Sequence, residues 1–374
     1  MKILHINTNY AGTPLHRNMV AALARVGVKS LVFVPTCKEI ETPQEDDFEV
    51  RISRCFKYWD AISFLYKQSE ILKAIESSVC VSDFDLIHAY TVSTDGNVAY
   101  NLHKKYGIKY IVAVRNTDIN YFFKKRKHLH WLGLQILRNA EKVCFLSEAY
   151  KKTLIEKYVP DKYKQEILDK AVIIPNGIDS FWLEHLLTDS SNEERKNRIK
   201  QKKLRVVFAG RIEKPKNCGL TVDALKLLEG KGWIIEYHVA GKIANEEEYE
   251  YLKNYRGFVY HGLLNKEQMI ELYRDCDLYV MPSHTETFGL TYAEAMTQGL
   301  PVIYTRGQGF DGQFPDGEVG YPTCDSDAHE LAERIERCIE HYDEISERIT
   351  TCAQRFDWNK IAPQYVQLYE DIVK

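Results

Sequence analysis

The stretch LYVMPSHTETFGLTYAEAMTQGLPVI, residues 278–303, contains a strand, a loop, a helix and the start of a second strand. LYVMPS is apolar and strand-like, HTET is a polar loop, and LTYAEAMTQ has helical spacing and stops at Gly299. Pro301 then begins the next apolar run. The stretch therefore predicts a strand-helix-strand unit of a parallel sheet.

The same alternation runs along most of the chain and predicts an α/β fold with helices on both faces of parallel sheets. Strand-like runs stand at residues 2–7, 29–35, 84–90, 110–116, 142–147, 172–175, 204–210, 234–241, 258–262, 278–283 and 301–305. The polar stretch 188–203 predicts a surface helix or a linker. At the end, 357–373 predicts a helix after Asp357, with a kink or restart at Pro363.

The length indicates more than one domain. A chain of 374 residues exceeds the roughly 250 residues at which single cores stop growing. We predict an N-terminal domain over 1–180, a C-terminal domain over 181–355, and a final helical segment over 356–374.

Charge and cysteine content limit the partners and the compartment. Fifty basic and 53 acidic residues give a net charge of −3, which offers no general attraction to nucleic acid. The nine cysteines form no Cys-x-x-Cys pair, a pattern typical of reduced thiols. With neither a leader segment nor a long apolar run in the sequence, we expect a cytoplasmic protein.

The loop after the strand at 204–210 carries two candidate ligand-binding cations. FAGRIEKPKN, residues 208–217, places Gly210 where a ligand can approach the backbone and then presents Arg211 and Lys216. Two cations on one loop could bind a diphosphate. Alternatively, both are solvated surface side chains.

The next candidate is the helix N-terminus in the opening stretch. The amides of Phe288, Gly289 and Leu290 stand where free N–H groups and the helix dipole favour a phosphate. Glu286 and Glu294 flank this turn. If the anion is the diphosphate of a nucleotide sugar, their carboxylates suit the hydroxyls of the transferred sugar and of the ribose. The alternatives are helix capping for Glu286 and an exposed helix face for Glu294.

Two further loops place a glycine directly after a strand. Gly241 and Gly262 could let a flat base approach the backbone, with Leu263 and Leu264 as an apolar wall. Glycine after a strand is common, so each signal is weak by itself.

Residues 121–137, YFFKKRKHLHWLGLQIL, join aromatic side chains to a basic run. Such a segment could make peripheral contact with the inner face of a membrane. The alternative is a solvated helix face over a buried apolar stripe.

We expect no metal. Asp-x-Asp triplets at 83–85, 275–277 and 325–327 have a form used for Mg²⁺ or Mn²⁺, but the first two begin strands and the third lies in an end loop.

IPNGID, FAGRIEKPKN, HTETFGLTYAEAMTQGLPVI and RFDWNKIAPQYVQLYE together resemble glycosyltransferase family 4 in their order and spacing. The resemblance implies the GT-B fold: two Rossmann-like doubly wound parallel-sheet domains facing across a cleft, with a C-terminal helix crossing back to the N-terminal domain. It also implies a retaining, metal-independent transferase whose N-terminal domain binds the acceptor. By this similarity Arg211 and Lys216 neutralise the diphosphate, Glu286 holds the donor sugar, and Glu294 holds the ribose.

The resemblance further implies a nucleotide-diphosphate sugar as donor, a saccharide or lipid-linked acceptor, and a role in cell-surface polysaccharide synthesis, with no other cofactor. Gly12 stands alone where family members often have a glycine pair beside the diphosphate. Asn116, with Asp118 nearby, replaces a histidine that faces the donor sugar. The alternatives are a non-catalytic nucleotide-sugar-binding protein and an epimerase or phosphorylase on the same fold.

Two histidines of the first half are weaker candidates for the acceptor side. They are His16, close to the first loop, and His88, in the third strand-like run. A structural role in the core is the alternative for each.

Overall fold

The computed structural model describes residues 1–40, 47–61, 63–188 and 193–374. The chain forms two compact units. The first consists of Met1–Gly177 together with Trp358–Lys374, and the second of Ile178–Asp357. The first unit is therefore built from two separate segments of the chain.

The first unit has a parallel sheet of seven strands. They are β1 (Lys2–Ile6), β2 (Lys29–Thr36), β3 (Glu49–Arg54), β4 (Leu86–Ala89), β5 (Tyr110–Val114), β6 (Lys142–Phe145) and β7 (Ala171–Ile173). Their order in the sheet is β3-β2-β1-β4-β5-β6-β7. Its helices are α1 (Pro14–Arg25), α2 (Phe64–Ser78), α3 (Asp95–Tyr106), α4 (His130–Asn139), α5 (Glu148–Tyr158) and α6 (Asp161–Leu168).

The central strands of this sheet are mainly apolar because both faces of the sheet are covered. All five residues of β5 are buried. Successive side chains of a strand point to opposite faces, so Tyr110, Val112 and Val114 pack into one core. Ile111 and Ala113 pack into another on the opposite face. Continuous apolar runs of this kind are typical of buried parallel strands.

The second unit repeats this architecture with a six-stranded parallel sheet. Its strands are β8 (Lys203–Ala209), β9 (Ile234–Ala240), β10 (Phe258–Gly262), β11 (Leu278–Met281), β12 (Val302–Thr305) and β13 (Gly320–Thr323), in the order β10-β9-β8-β11-β12-β13. Its helices are α7 (Ser180–Glu184), α8 (Glu193–Lys200), α9 (Cys218–Glu229), α10 (Glu246–Lys253), α11 (Lys266–Asp275), α12 (Leu290–Thr297), α13 (Ala328–Glu340) and α14 (Tyr342–Ala353). The two doubly wound sheets confirm the predicted α/β fold.

In each sheet the strand order reverses once, between β1 and β4 in the first unit and between β8 and β11 in the second. Loops that leave the two strands at such a point diverge to opposite faces of the sheet. The crevice between them, beyond the carboxyl ends of the strands, is the usual ligand position in open parallel sheets. The loops after β1, β4, β8 and β11 are therefore the places to look for function.

The last helix, α15 (Trp358–Val373), belongs to the first unit and packs beside α1. Trp358, Ile361 and Tyr369 are buried with Ile111 in one core. A Cβ on Gly177 would lie 2.6 Å from the Trp358 ring, so this helix lies directly on the backbone there. The prediction that the final helix returns to the N-terminal domain is confirmed, and the helix runs unbroken across Pro363.

Three regions differ from the sequence expectation. The structure contains two strands, β3 and β13, that the sequence did not predict. In the aromatic and basic segment 121–137, the α-helix begins only at His130. It is preceded by a π-helical turn (Asp118–Phe123) and a 3₁₀ turn (Lys127–Leu129).

The polar stretch 188–203 contains α8, and one of its cations is not on the surface. Arg195 is 1% exposed. Its guanidinium donates to the carbonyl groups of Tyr273, Arg274, Gln298 and Gly299 at 2.9–3.3 Å. A buried cation is tolerated here because carbonyl oxygens replace its water.

Among the described helices, none is both long enough and apolar enough to cross a bilayer.

Candidate functional site

The loops after β8 and β11 meet at the point where the second sheet reverses. The His284 amide donates to the Pro215 carbonyl at 2.9 Å, which joins the two loops through their backbones. One residue further along the first loop and two further along the second, Lys216 Nζ lies 2.5 Å from Glu286 Oε2. The sequence predicted both residues as site candidates, and the fold brings them into direct contact.

The Lys216–Glu286 ion pair is well shielded from solvent. The side chains are 20% and 12% exposed, so their attraction is screened less than that of a surface pair. The second carboxylate oxygen of Glu286 accepts from the Thr287 amide at 2.9 Å. The carboxylate is thus held in one orientation at the crevice, beside a cation that could instead bind an anion.

Arg211 lies on the same loop but makes a different ion pair. Its guanidinium contacts Glu213 Oε1 at 2.9 Å, and its side chain is 67% exposed. An exposed pair of this kind contributes little to stability. The Arg211 side chain can therefore exchange Glu213 for a ligand at small cost.

Two residues that the sequence reasoning missed hold these loops. Asn217 has a left-handed backbone, with φ 56°, and its amide donates to the carbonyls of Pro282 and Asp325 at 3.0 and 2.9 Å. The Gln308 side chain accepts from the Glu286 amide at 3.0 Å. The signal for Asn217 was its residue type, since asparagine tolerates this conformation better than most residues. Gln308 follows β12 in a Gly-Gln-Gly turn, on the neighbouring strand of the sheet.

The predicted helix N-terminus is present. Gly289 has φ +79° and precedes α12, and a Cβ there would lie 2.3 Å from the Tyr292 ring. Only glycine fits this turn. The Phe288 side chain is buried, 5.5 Å between ring centres from Phe356, so this residue offers its backbone and not its ring. Leu290 is the first residue of the helix.

Glu294 lies about one turn inside α12 and is half-buried. Burial raises its pKa to about 7; Lys266 opposes the shift and Asp179 adds to it. Lys266 and Asp179 pair with each other at 2.8 Å. At neutral pH the Glu294 carboxyl is therefore divided between its protonated and ionised forms, and hydroxyl donors would stabilise the ionised one.

The predicted glycines stand at three neighbouring strand ends. A Cβ on Gly241 would lie 1.9 Å from the Gly210 carbonyl oxygen, so the loops after β8 and β9 touch through bare backbone. Gly262 has open space around it. Leu263 is 77% exposed and Leu264 half-buried. Because none of the three glycines has a side chain, the backbone is accessible at this edge of the sheet, and a flat group could lie against it.

In the first unit, Asp118 joins loops and does not face solvent. It is fully buried and accepts from the amides of Val92, Ser93 and Arg115 at 2.9–3.1 Å. Asn116 is half-buried, and its side-chain oxygen accepts from Asn120. Gly12 ends a 3₁₀ turn after β1 with open space around it.

The two candidate histidines of this unit lie in its core. His88 is fully buried, stacks on Tyr90 at 4.5 Å between ring centres, and shares a 2.7 Å hydrogen bond with the Tyr369 hydroxyl. His16 is 8% exposed and packs edge-on against Tyr90. Burial lowers the pKa of both imidazoles, to about 3 for His16. Neither ring is charged at neutral pH.

The Asp-x-Asp triplets serve local structure in the second unit. Asp277 is fully buried and pairs with Arg198 at 3.0 Å. Asp325 pairs with His284 at 2.8 Å, and Asp327 caps α13. In the described part of the chain, no three histidine, cysteine or acidic side chains gather as metal ligands would.

Two family models match the chain. The model described as Glycosyltransferase Family 4 matches residues 16–180, and the model described as Glycosyl transferases group 1 matches residues 189–356. Together they cover most of both units.

Individual proteins similar to this chain are also glycosyltransferases or have a similar structure. An uncharacterised glycosyltransferase of Methanocaldococcus jannaschii is 23% identical over 84% of this chain and 83% of its own length. The capsular polysaccharide biosynthesis glycosyltransferase CapM of Staphylococcus aureus is 25% identical over 54% of this chain and 52% of its own. The structure of Anabaena HepE in complex with UDP-glucose superimposes with a TM-score of 0.69 at 18% identity, covering 99% of this chain and 100% of that one.

Proposed function

Because the chain belongs to the group 1 glycosyltransferases and has the GT-B fold of glycosyltransferase family 4, we propose that it transfers a sugar from a nucleotide-diphosphate sugar to a saccharide or glycolipid acceptor. We further propose that the anomeric configuration is retained and that no metal is used. The observation that carries the proposal is the shielded Lys216–Glu286 pair at the reversal point of the second sheet.

In this proposal the donor separates that pair. The diphosphate takes Lys216 and Arg211 as counterions and lies against the amides at the start of α12. Glu286, released from Lys216, accepts hydrogen bonds from hydroxyls of the donor sugar. The nucleoside lies along the glycine edge, and Glu294 accepts from the ribose hydroxyls.

The chemistry needs charge stabilisation more than proton transfer by the protein. As the glycosidic bond breaks, negative charge grows on the diphosphate and positive charge on the sugar ring. Fixed cations and amides that meet the growing negative charge lower the barrier, by about 3 kcal/mol for a well-placed donor. The acceptor then attacks from the face of the leaving group, and the diphosphate takes the acceptor proton.

Two cations and a helix N-terminus supply the positive charge that a metal supplies in other transferases. Transfer in EDTA should therefore match transfer in Mg²⁺ within about twofold. A strict requirement for Mg²⁺ or Mn²⁺ would exclude the metal-independent scheme.

The first experiment is thermal unfolding of the protein with UDP, GDP, ADP, CMP and their common sugar conjugates, without metal. A ligand at 100 times its Kd adds about 2.7 kcal/mol of stability, which raises Tm by a few degrees. The similarity to HepE bound to UDP-glucose makes UDP the first choice. A shift with one nucleotide class supports the donor site, and no shift with any member supports a non-catalytic protein.

For membrane contact, we propose the surface around Tyr121 and Trp131, which are 50% and 68% exposed. Lys124, Lys125 and Lys127 are exposed beside them. Aromatic side chains among lysines suit the interface of an anionic bilayer, here the cytoplasmic face. The similarity to CapM favours a role in cell-surface polysaccharide synthesis.

Sedimentation with vesicles tests this contact. The protein should bind vesicles containing phosphatidylglycerol more strongly than phosphatidylcholine vesicles, and Trp131→Ala should weaken that binding. Equal sedimentation with both lipids would exclude the electrostatic contribution.

A further inference from the structure

The first unit contains a cavity of about 710 Å³ that is lined by none of the proposed donor-site residues of the second unit; Gly12 is part of its lining. It lies beyond the carboxyl ends of β1, β2 and β4, at the point where the first sheet reverses. All of its lining residues belong to the first unit. Position and size are those of a small-molecule site.

Two half-buried cations face this cavity. Lys67, from α2, has its ammonium 4.5 Å from the centre of the Phe56 ring. Arg126 follows the π-helical turn, and its guanidinium lies 5.8 Å from the centre of the Phe64 ring and 5.1 Å from that of Tyr121. Both charges are thus set among aromatic rings on one wall.

The positive charge is poorly compensated. Within the described ranges, neither Lys67 nor Arg126 forms an ion pair, and the Arg126 guanidinium donates to the Tyr121 hydroxyl at 3.3 Å. Burial lowers the pKa of Lys67; Arg126 adds to the shift, while Asp95 and the thiols of Cys37 and Cys55 oppose it. Without a ligand, the ammonium therefore carries an unfavourable charge.

Asp95, the acidic group that acts most strongly on Lys67, is already engaged. Its carboxylate accepts from the Thr8 amide and from the Thr91 hydroxyl, both at 3.1 Å. It lies fully buried behind the cavity wall. The hydrogen-bonding capacity of Lys67 is therefore directed to the cavity.

The rest of the wall suits a sugar or polyol. Phe56, Phe64 and Tyr121 offer ring faces and edges, and the exposed Tyr58 stands at the rim. Hydroxyl groups come from Thr36 and from the loops after β4 and β5, namely Ser93, Thr94 and Thr117. Aromatic walls with a few convergent polar groups are typical of ligand pockets.

We propose that this cavity binds an acidic acceptor, a sugar or polyol carrying a phosphate or a carboxylate, through Lys67 and Arg126. The role of the ligand as an acceptor depends on the proposed glycosyl transfer. Anion binding by the cavity does not depend on it.

The test measures binding of glucose 6-phosphate, glucuronate and glucose to the full chain by ligand-observed NMR at constant ionic strength, with saturating UDP present. The variants are Lys67→Met and Arg126→Met, which keep much of the apolar stem and remove the charge. Lys73→Met is the control, because Lys73 lies on the same helix, is exposed, and pairs with Glu70 at 2.8 Å. Lys67→Met should not lower Tm, since it removes a charge that burial disfavours.

At least one of the two acids should bind ten times more tightly than glucose. Each cavity variant should weaken that binding at least tenfold, and the control should change it less than twofold. Preference for glucose 6-phosphate assigns the anion as phosphate, and preference for glucuronate assigns it as carboxylate. Equal binding of glucose, unchanged affinity in both variants, or no binding of any probe overturns the proposal.

The same samples separate this proposal from that for the donor site. UDP affinity should be equal in wild type and Lys67→Met. Acid binding without any nucleotide binding would remove the proposed transfer and keep the cavity assignment. Nucleotide binding and turnover without acid binding would support the proposed transfer and overturn the cavity assignment.

Discussion

At the scale of single residues, the central feature is an ion pair that the donor would separate in the proposed mechanism. Lys216 and Glu286 neutralise each other at 2.5 Å in the free protein. Each partner has a separate proposed ligand, the diphosphate for the cation and a sugar hydroxyl for the carboxylate. In the proposed mechanism, the pair would keep both groups shielded and oriented until the donor binds, which would reduce the reorganisation needed during reaction.

Glu286→Gln should lower kcat by about 100-fold or more while the fold stays intact, because the amide cannot replace the charge. Steady-state kinetics with the donor found by thermal unfolding measures the effect. Glu247→Gln is the matched control: its carboxylate also pairs with a lysine of this loop, Lys214, at 2.8 Å, but on the surface. Wild-type turnover in Glu286→Gln would remove Glu286 from the mechanism.

If Glu294 binds the donor as proposed, donor affinity should depend on pH. The Glu294 pKa of about 7 lies above the ordinary value of 4.5, so the free protein holds a proton there that hydroxyl donors would displace. Donor affinity should therefore rise as pH increases to about 7 and level off above it. Lysine side chains in the donor site titrate only at much higher pH, so they cannot cause a rise in donor affinity that ends near pH 7.

We expect UDP-glucose to bind about tenfold more tightly at pH 7.5 than at pH 5.5, as measured by isothermal titration calorimetry. The phosphates of this ligand do not titrate in that range. In Glu294→Gln the affinity should be the same at both pH values, and the variant should be at least as stable as wild type above pH 7. An unchanged pH profile in the variant would assign the titration to another group.

The sequence indicated Lys216 and Glu286 because both lie in loops that follow strands, and Glu294 because it lies in the helix after such a loop; each has a chemical type that suits the proposed ligand. It could not locate Asn217, Gln308 or Arg195. Their function depends on carbonyl and amide groups that are distant in sequence; Arg195, for example, binds carbonyls 78–104 residues away. Only the folded chain brings such backbone groups together.

At the scale of elements, the strand ends of the second sheet are packed through glycine. Gly241 and Gly210 touch backbone to backbone, while Gly262, on the next strand, faces open space. Both Gly241 and Gly262 have positive φ, at 143° and 70°. They differ chiefly in the room available to a side chain.

Gly241→Ala should destabilise the protein by about 3 kcal/mol or more, because its methyl group collides with a carbonyl that cannot rotate away. Gly262→Ala should cost only about 1 kcal/mol, the penalty of its left-handed backbone. Chemical denaturation of the two variants measures both values. Equal losses would show that the contact with Gly210 is not decisive.

The elements that the sequence missed have weak patterns for physical reasons. β3, EVRISR, lies at the sheet edge, and its residues are half-buried or exposed, so it lacks an apolar run. β13, GYPT, contains glycine and proline, which are tolerated at an edge because one side of the strand is unpaired. The π-helical turn buries Phe122 and Phe123 against Gly133, a contact that no helical period predicts.

At the scale of the whole molecule, the C-terminal segment of the chain returns to the first unit. Sequence patterns predicted this return through the resemblance to family 4, and the contacts of α15 explain it: Trp358, Ile361, Tyr365 and Tyr369 fill the core beneath α1. Tyr369 also hydrogen-bonds the buried His88. The first unit therefore depends on a segment that is separated from Gly177 by the 180 residues of the second unit.

Removal of residues 358–374 should unfold the first unit and spare the second. Hydrogen exchange followed by mass spectrometry should show lost protection in β1, β4 and β5, with β8, β9 and β11 still protected. Gln364→Ala, at an exposed position of α15, is the control and should leave both sheets protected. Full protection of β1 in the truncated chain would mean that α15 is dispensable.

The two-segment build of the first unit also sets the order in which the protein matures on the ribosome. When residue 177 emerges, the face of the first sheet that Trp358 and Tyr369 will cover is still bare. It stays bare for the time needed to synthesise the entire second unit, about ten seconds or longer at typical elongation rates. A chaperone that binds exposed apolar sheet surface has its best opportunity in that interval, and a chain cut short at any point in the second unit leaves the ribosome with that surface still available.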